Sequence, residues 1–304
     1  MKRFDVLIVG GGAAGLSAAL VLLRARRTVA IVDAGEPRNA PAAHLHGFLS
    51  RDGAAPAALL ASGRDEVAGY GGTIIDGRVA ELSPGFTATL DDGRRLEARR
   101  VLVTTGLRDE IPDIPHLRER WGRDVQHCPY CHGYEVRDRA LGVIGGTAAS
   151  VAHALLIAQW SADVVYFPHT RPLTDDEQER LDARGVRVHP GEVSRLIVEA
   201  DRLQSVELSD GTHVERAAVF VRPEMRAHDA LLQVLGCETD ENGWVRHDAG
   251  GRTSVPGVSV AGNVADPRAQ LITAAGQGSA AAIALNADLT DDDLAAQLAT
   301  HRGA

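Results

Sequence analysis

A glycine-rich turn near the start of the chain is the strongest constraint on its fold. Residues 4–9 read FDVLIV, a short apolar run, and lead directly into Gly10, Gly12 and Gly15, which fit a Gly-x-Gly-x-x-Gly pattern. A stretch with helical spacing follows, AAGLSAALVLLRARR, and then a second apolar run, TVAIVDA. This order of strand, glycine turn, helix and strand predicts a β-α-β unit that binds a dinucleotide.

The residue types in this turn suit a bound pyrophosphate. The first glycine allows a tight turn, the second lets the backbone approach the phosphates, and the third lets helix and strand pack closely. The helix that opens with Ala13 and Ala14 presents its N-terminus to the phosphate charge. Asp33 ends the second strand, where an acidic residue is expected to hold a ribose hydroxyl.

The same pattern recurs at 140–167, with ALGVIG, TAASVAHALLIAQW and ADVVYF in place of the first three segments. Between the two units, short alternating runs with Asp-Gly turns predict an antiparallel flap. We therefore predict an α/β protein with two Rossmann-like, three-layer ββα dinucleotide-binding domains, the second inserted into the first. The predicted boundaries are 1–114 with 234–304 for the first domain and 115–233 for the second.

The last part of the chain predicts a strand, a loop and a long helix rich in small residues. The acidic segment TDDDLAAQ that follows predicts the solvated start of a helix, with Thr290 as its N-cap.

Composition excludes several classes of partner. The net charge is -9 with a pI near 5.7, and Lys2 is the only lysine, so clustered cations that would coat phosphates are not expected. No apolar run approaches the length of a membrane span, and glycines interrupt the one behind Met1. We expect a cytoplasmic protein that binds neither nucleic acid nor membrane.

A pair of cysteines carries the most specific chemical signal. Cys128 and Cys131 lie in HCPYCHGYE, between His127 and His132, and Cys237 is the only other cysteine. In a reducing compartment such a close pair is redox-active or metal-binding rather than part of a disulfide framework. Neighbouring histidines can supply the positive charge that lowers a thiol pKa, which favours a redox role.

Two other interpretations of the pair stay open. Zinc needs two further ligands at tetrahedral reach, and Cys237 and His153 are available although no second close pair exists. A purely structural pair of thiols is the other alternative. We predict no metal site, and we expect Cys237 to be an ordinary small core residue.

The first half of the chain, with the late AGNVAD segment, closely resembles the flavin domain of flavoproteins that have two dinucleotide folds. This resemblance implies that FAD occupies the first site and that the carboxylate which usually holds the ribityl chain is replaced here by an amide. It also implies that the helix after PRAQ points its N-terminus at the flavin ring. The FAD contacts so implied are Thr105, Gly106, Gly262, Asn263, Gln270, Leu271 and Thr273.

The position of the cysteine pair, just before the second β-α-β unit, resembles that in the low-molecular-weight thioredoxin reductases, over essentially the whole chain. The form CPYCHGYE is most similar to the branch that oxidises dithiols in gliotoxin-, holomycin- and romidepsin-type pathways. The resemblance implies that Cys131 exchanges electrons with the flavin and Cys128 is the interchange thiol. His132 replaces the usual acid, His127 assists, the loop with His46 approaches the flavin, and the protein is a homodimer.

The second glycine turn departs from a cofactor-binding pattern. Thr147 occupies the position of its second glycine, where a Cβ atom would crowd a pyrophosphate. After the next strand, Arg171 stands without the paired arginines that bind a 2'-phosphate, and acidic residues follow it. The second domain is therefore predicted to be a scaffold that presents the cysteines, with NADPH binding through modified contacts as the alternative.

These observations predict an FAD-dependent thiol-disulfide oxidoreductase. The favoured reaction oxidises a small-molecule dithiol to an intramolecular disulfide through Cys128, Cys131 and FAD, with dioxygen as acceptor. One alternative is an NADPH-dependent reductase with thioredoxin or a thioredoxin-like protein as partner. The second is a non-catalytic flavin-bound redox sensor.

Overall fold

In the computed structural model, which describes residues 3–303, the chain forms two compact units. The first unit contains residues 3–40, 56–108 and 225–303, and the second contains residues 41–55 and 109–224. The domain boundaries predicted from the sequence stay a prediction.

Seventeen strands are present within residues 3–303. They are β1 (Arg3–Val9), β2 (Val29–Asp33), β3 (Thr73–Asp76), β4 (Val79–Ser83), β5 (Thr87–Leu90), β6 (Arg95–Val103), β7 (Leu107–Glu110), β8 (Val125–Gln126), β9 (Leu141–Ile144), β10 (Val164–Phe167), β11 (Arg187–Val188), β12 (Val193–Glu199), β13 (Arg202–Leu208), β14 (His213–Glu215), β15 (Ala218–Val221), β16 (Glu224–Ala227) and β17 (Val258–Val260).

The same residues form seven α-helices and two short 3-10 helices. The α-helices are α1 (Ala13–Arg24), α2 (Pro56–Gly69), α3 (Pro129–His132), α4 (Ala148–Ile157), α5 (Asp175–Ala183), α6 (Ala230–Val234) and α7 (Leu271–Gly303). The 3-10 turns are Arg118–Arg120 and Gly262–Val264.

The sheet of the first unit combines a parallel part with an antiparallel flap. Its strand order is β3-β2-β1-β6-β5-β4, and β17 pairs with the C-terminal half of β6. The strands β3, β2, β1, β6 and β17 run parallel, whereas β4 and β5 run antiparallel to their neighbours. The predicted β-α-β unit and flap are thereby confirmed.

Alternate residues of β1 enter separate hydrophobic cores on the two faces of this sheet. Leu7 and Val9 pack towards the flap and β17, while Val6 and Ile8 pack against α1 and α7. The helices α1 and α7 approach closely because Gly278 of α7 lies against the Ala14 carbonyl, where a Cβ atom would be 2.1 Å from the oxygen. This contact fixes the N-terminal half of α7 beside the start of α1.

The second unit repeats the doubly wound pattern. Its parallel sheet has the order β11-β10-β9-β15-β8, and a three-stranded antiparallel sheet, β12-β13-β14, accompanies it. The largest fully buried side chains of its core are Tyr166, Phe167 and Phe220. The strands β7 and β16 pair as a separate two-stranded sheet. The predicted α/β class with two Rossmann-like domains is confirmed.

The predicted helix start at Thr290 is wrong, because α7 continues through this residue to Gly303. The Thr290 hydroxyl donates to the Asn286 carbonyl one turn earlier, which is a bond within a helix and not an N-cap. The acidic residues that follow pair with arginines of the first unit, Asp293 with Arg27 and Arg99 among them. Ion pairs with distant arginines therefore stabilise α7 across a segment whose local sequence resembles the start of a helix.

No helix within the described residues is long and apolar enough to cross a membrane.

Candidate disulfide and flavin sites

The cysteine pair is built on a single helical turn. Cys128 is the N-cap of α3, Pro129 occupies the first helical position, and the Cys128 sulfur accepts a hydrogen bond from the Cys131 N–H at 3.2 Å. The two cysteines are joined as a disulfide with their Cα atoms 5.3 Å apart. An amide directed at the outer sulfur would stabilise negative charge there after reduction.

Gly133 lets this turn sit against its support. A Cβ atom at this position would lie 2.5 Å from the Pro129 carbonyl and 2.9 Å from the Trp160 indole nitrogen. The Trp160 ring meets Tyr130 edge to face, with centroids 5.6 Å apart. Glycine is thus required by packing, and Tyr130 stays largely exposed between the two cysteines.

His132 has the properties of a base next to this disulfide. Burial lowers the pKa of its imidazole below the usual value, and the negative charge of Glu135 opposes that shift. The positive charges of His46 and His44 lower the pKa further. The ring is therefore neutral at pH 7, the form that can accept a proton from a thiol.

His46 lies between two carboxylates. Its Nδ1 is 3.4 Å from Asp52 and its Nε2 is 3.4 Å from Glu135, and its ring faces that of His132 with centroids 6.2 Å apart. The Gly47 N–H donates to Asp52 at 2.9 Å and fixes this carboxylate in the loop. All these residues belong to the second unit. The structure thus brings His46 to the histidine of the cysteine motif, and its predicted contact with FAD stays a prediction.

His153 supports the chain just before the cysteines. Its Nε2–H donates to the His127 carbonyl at 2.9 Å, and the two rings are 5.9 Å apart. Burial, together with the charge of His127, lowers the pKa of His153 to about 4, so its ring is neutral at pH 7. His153 is therefore engaged with the backbone rather than set up as a zinc ligand.

No group of three His, Cys, Asp or Glu side chains suited to a metal ion occurs among residues 3–303. Cys237 is buried in the first unit, where its thiol donates to the Thr253 hydroxyl at 3.5 Å and burial raises its pKa. It behaves as a small core residue.

The first glycine turn has the shape of a phosphate cradle. Gly10 has φ +109° and lies against Thr104, where a Cβ atom would be 2.5 Å from the carbonyl oxygen. A Cβ atom at Gly15 would be 2.0 Å from the Gly10 oxygen, whereas one at Gly12 would project into open space. No side chain caps the N-terminus of α1 behind Gly12. Two glycines are required by packing, and the third leaves room in front of free helical N–H groups.

Asp33 stands at the expected end of β2. Its carboxylate accepts the Gly11 N–H at 3.2 Å and pairs with Arg64 at 3.0 Å. Arg64 also bonds Asp76 at the end of the neighbouring strand β3. The acid is thus held beside the glycine turn, with its orientation fixed from two sides.

The late segment of the chain reaches the same end of the sheet. Gly262, with φ +77°, follows β17 and packs against Ala14 and Ala274, the starts of α1 and α7. Its N–H donates to Gln277 at 3.0 Å. The Asn263 amide NH2 donates to the Asp266 and Ala269 carbonyls, and its oxygen accepts from Arg38 at 3.4 Å.

The remaining predicted contacts also lie in the first unit. The Thr105 hydroxyl donates to the His228 carbonyl at 2.7 Å, and the Gly106 carbonyl accepts the His228 N–H. Gln270 and Leu271 lie at the start of α7, and Thr273 is exposed in its first turn. The open space at Gly12 and the uncapped helix fit the pyrophosphate of FAD. Asp33 fits its ribose.

The second glycine turn carries a side chain at the position of its second glycine. Thr147 is the N-cap of α4, and its hydroxyl lies 3.0 Å from that of Ser150. Arg171 forms two hydrogen bonds with Glu177, at 3.0 and 2.9 Å, and Glu177 also completes a capping box with Thr174. The one arginine placed for a 2'-phosphate is therefore neutralised within the unit.

Sequence reasoning did not single out four residues of these sites. Asp52 and Glu135 flank His46, Arg64 holds Asp33, and Arg38 meets Asn263. Glu135 is the last residue of the CPYCHGYE motif, and Asp52 lies six residues after His46 in the same loop. An acidic residue within six positions of His132 and of His46 was therefore the sequence signal for Glu135 and Asp52.

Comparisons with known proteins agree with this architecture. Residues 4–279 match the pyridine nucleotide-disulphide oxidoreductase family. Thioredoxin reductase sirT of Leptosphaeria maculans is 33% identical, with 97% of each chain covered. The crystal structure of HlmI superposes with a TM-score of 0.97 at 55% identity, covering 98% of this chain and 96% of that one. An oxidoreductase from Agrobacterium tumefaciens gives a TM-score of 0.90 at 37% identity, covering 95% and 99%.

The predicted family is confirmed by these matches and by the two doubly wound units, the glycine turn and the disulfide. The chain belongs to the pyridine nucleotide-disulphide oxidoreductase family and is a thioredoxin reductase-like flavoprotein oxidoreductase.

Proposed function

We propose that this enzyme oxidises a small-molecule dithiol to an intramolecular disulfide, with dioxygen as the final electron acceptor. The observation that carries the proposal is the Cys128–Cys131 disulfide next to His132, an imidazole that burial keeps neutral at pH 7. A neutral base beside an oxidised pair is suited to take a proton from an incoming thiol.

The reaction begins when His132 accepts the proton of one substrate thiol. The resulting thiolate attacks the Cys128 sulfur, the bond between the two cysteines breaks, and Cys131 leaves as a thiolate. The second substrate thiol attacks the substrate sulfur of this mixed disulfide, Cys128 is released, and the proton of this second thiol passes to the Cys128 sulfur. The substrate leaves as a disulfide, and the cysteine pair holds its two electrons.

The helical turn assists this exchange. The Cys131 N–H that bonds the Cys128 sulfur stabilises negative charge on the outer cysteine as the substrate disulfide forms. When bound, FAD supplies the two-electron acceptor for the reduced pair and the centre at which dioxygen is converted to hydrogen peroxide. The residues placed to hold FAD are those around the first glycine turn, with Gly12 and Asp33 foremost.

The second glycine turn supports this direction of electron flow. Thr147 occupies the position at which a glycine would let the protein backbone approach a pyrophosphate. Glu177 already forms two hydrogen bonds with Arg171. Thr147 and the Arg171–Glu177 pair therefore do not offer NADPH the glycine cradle and the guanidinium of a typical nicotinamide site. We infer that the second unit presents the disulfide and is not a nicotinamide site.

We further propose that the protein works in the cytoplasm as a homodimer, with neither nucleic acid nor membrane as partner. The high identity to HlmI over nearly the whole chain supports a shared chemistry, and the sequence motif CPYCHGYE supports a substrate from natural-product biosynthesis.

The test is oxygen consumption by the FAD-loaded enzyme with simple dithiols such as dithiothreitol. Disulfide product and hydrogen peroxide should form in equal amounts, and the C128S variant should form neither above the uncatalysed background. Undiminished turnover by C128S would show that the pair is unnecessary and would leave a sensor role for it.

A second candidate, reduction of thioredoxin or a thioredoxin-like protein by NADPH, is supported by the relative named thioredoxin reductase sirT. Rapid NADPH-dependent reduction of thioredoxin by this enzyme would establish that candidate and reject the proposed direction.

A further inference from the structure

Five titratable side chains of the second unit interact around His46 and His132, and His132 directly follows Cys131 of the disulfide turn. They are the three histidines His44, His46 and His132 with the two carboxylates Asp52 and Glu135. Dithiol chemistry needs one base, and His132 supplies it. The other members of the cluster therefore need a separate explanation.

The cluster is arranged as a line. Both ring nitrogens of His46 face a carboxylate oxygen at 3.4 Å, Asp52 on one side and Glu135 on the other. The edge of the same ring meets His132. The His46 side chain in the middle is 21% exposed, and the carboxylates on its two sides are more exposed, 43% for Glu135 and 69% for Asp52. A half-buried base is thus connected to solvent through groups that can each bind a proton.

The reaction creates a proton that this path can carry. Oxidation of one dithiol puts two electrons into the cysteine pair and frees two protons. If Cys128 ends as a thiol and Cys131 as a thiolate, one proton returns to Cys128 and one stays on an imidazole. Burial disfavours a charged His132, so this second proton must either move on or be stabilised where it is.

We propose that Glu135, His46 and Asp52 form a proton relay that carries the proton accepted by His132 to solvent and back. His46 is the carrier, while Glu135 and Asp52 are positioning residues that hold its two nitrogens. The inference rests on the proposed function for the source of the proton, and it requires only that His132 exchange protons during thiol-disulfide chemistry.

Each carboxylate has a distinct task in the relay. Glu135 provides the negative charge that favours protonated His132, and its oxygen also faces His46, so it links the two rings. Asp52 lies at an exposed end of the cluster, and the Gly47 N–H that it accepts lowers the pKa of its carboxyl, so it stays an anion that positions the His46 Nδ1. The charged or titratable groups that act on His132 are Glu135, His46 and His44.

The relay predicts opposite shifts in two variants. Loss of the Glu135 charge in E135Q should lower the pKa of His132, and loss of the His46 ring in H46Q should raise it. Histidine NMR titration of the oxidised enzyme measures these shifts. It needs no substrate, so it stays informative if the protein proves to run electrons in the other direction.

Rate measurements complete the test. In anaerobic reduction of the FAD-loaded enzyme by dithiothreitol, both variants should lose about tenfold of the plateau rate reached near pH 7, where the dithiol is still mostly protonated. The ascending limb of the pH profile should move in opposite directions in the two variants. E135D should recover part of the rate because it restores the charge. E179Q, in the exposed part of α5, is the matched control and should match the wild type in both readouts.

Two outcomes would overturn the relay. One is a His132 titration that moves in the same direction, or not at all, in E135Q and H46Q. The other is a full plateau rate in both variants despite the predicted titration shifts, since the carboxylate and the imidazole would then tune His132 without passing protons. Failure of dithiothreitol to reduce the wild-type enzyme would instead reject the proposed function and leave the titration test standing.

Discussion

At the scale of single residues, we propose that His132 determines whether the disulfide can accept a thiol at neutral pH. Its pKa lies below the usual value because the ring is half-buried, so the neutral base is present at pH 7 and is lost only as the pH falls through that lowered pKa. In the proposed reaction this neutral ring is the form that accepts the proton of a substrate thiol.

Removing the base should therefore slow reduction of the enzyme by a dithiol. We expect H132Q to lose about 100-fold in the rate of flavin reduction by dithiothreitol at pH 7, with a smaller loss at pH 9 where the substrate is partly thiolate. Anaerobic stopped-flow absorbance measures this rate. H213Q, at an exposed histidine of β14, should match the wild type, and an equal loss in both variants would remove the special role of His132.

Single substitutions of the two cysteines should show that Cys128, and not Cys131, forms the mixed disulfide with the substrate. In C131S, Cys128 remains as a free thiol that can form a mixed disulfide with an oxidised substrate, and nothing in the pair can resolve it. We expect intact-protein mass spectrometry after treatment with the oxidised substrate to show one substrate adduct on C131S and little on C128S. The reverse pattern would make Cys131 the interchange thiol.

At the scale of elements, the glycine turn shows which glycines serve the fold and which serve the ligand. A Cβ atom at Gly15 would collide with the Gly10 oxygen, whereas one at Gly12 would meet no protein atom within 4 Å. Packing therefore requires glycine at position 15, whereas glycine at position 12 is required only by the space for a phosphate.

The variants G12A and G15A should therefore differ in kind. We expect G12A, at the N-cap of α1, to lose no more than about 1 kcal/mol of unfolding free energy when FAD is removed, and yet to bind FAD at least about tenfold more weakly. G15A should lose about 1–3 kcal/mol of stability in the same FAD-free protein. Denaturant unfolding and flavin fluorescence titration measure the two quantities, and normal FAD affinity in G12A would contradict this assignment.

The elements that sequence could predict are those with a local pattern. Strand, glycine turn and helix in the first unit follow from periodicity within about thirty residues, and so does the duplicate at β9 and α4. The continuity of α7 could not be predicted, because it depends on Asp293 meeting Arg27 and Arg99 from distant parts of the chain. The flanking of His46 by Glu135 likewise joins residues 89 positions apart, so the motifs pointed to each residue without predicting their contact.

At the scale of the whole molecule, the two units share a fold but differ at their glycine turns. The first retains an open glycine turn with an uncapped helix, which suits a dinucleotide. The second has the corresponding strand and helix, but Thr147 and the pair of Arg171 with Glu177 close it. We propose that the second unit presents the disulfide, and this difference between the two glycine turns is the basis of the proposed direction of electron flow.

That direction is tested most directly by mixing the oxidised, FAD-loaded enzyme without oxygen, in separate stopped-flow runs, with dithiothreitol and with NADPH. We predict that the dithiol bleaches the flavin absorbance near 450 nm within seconds, and that NADPH leaves it unchanged over the same time. Rapid bleaching by NADPH with no response to the dithiol would contradict the account.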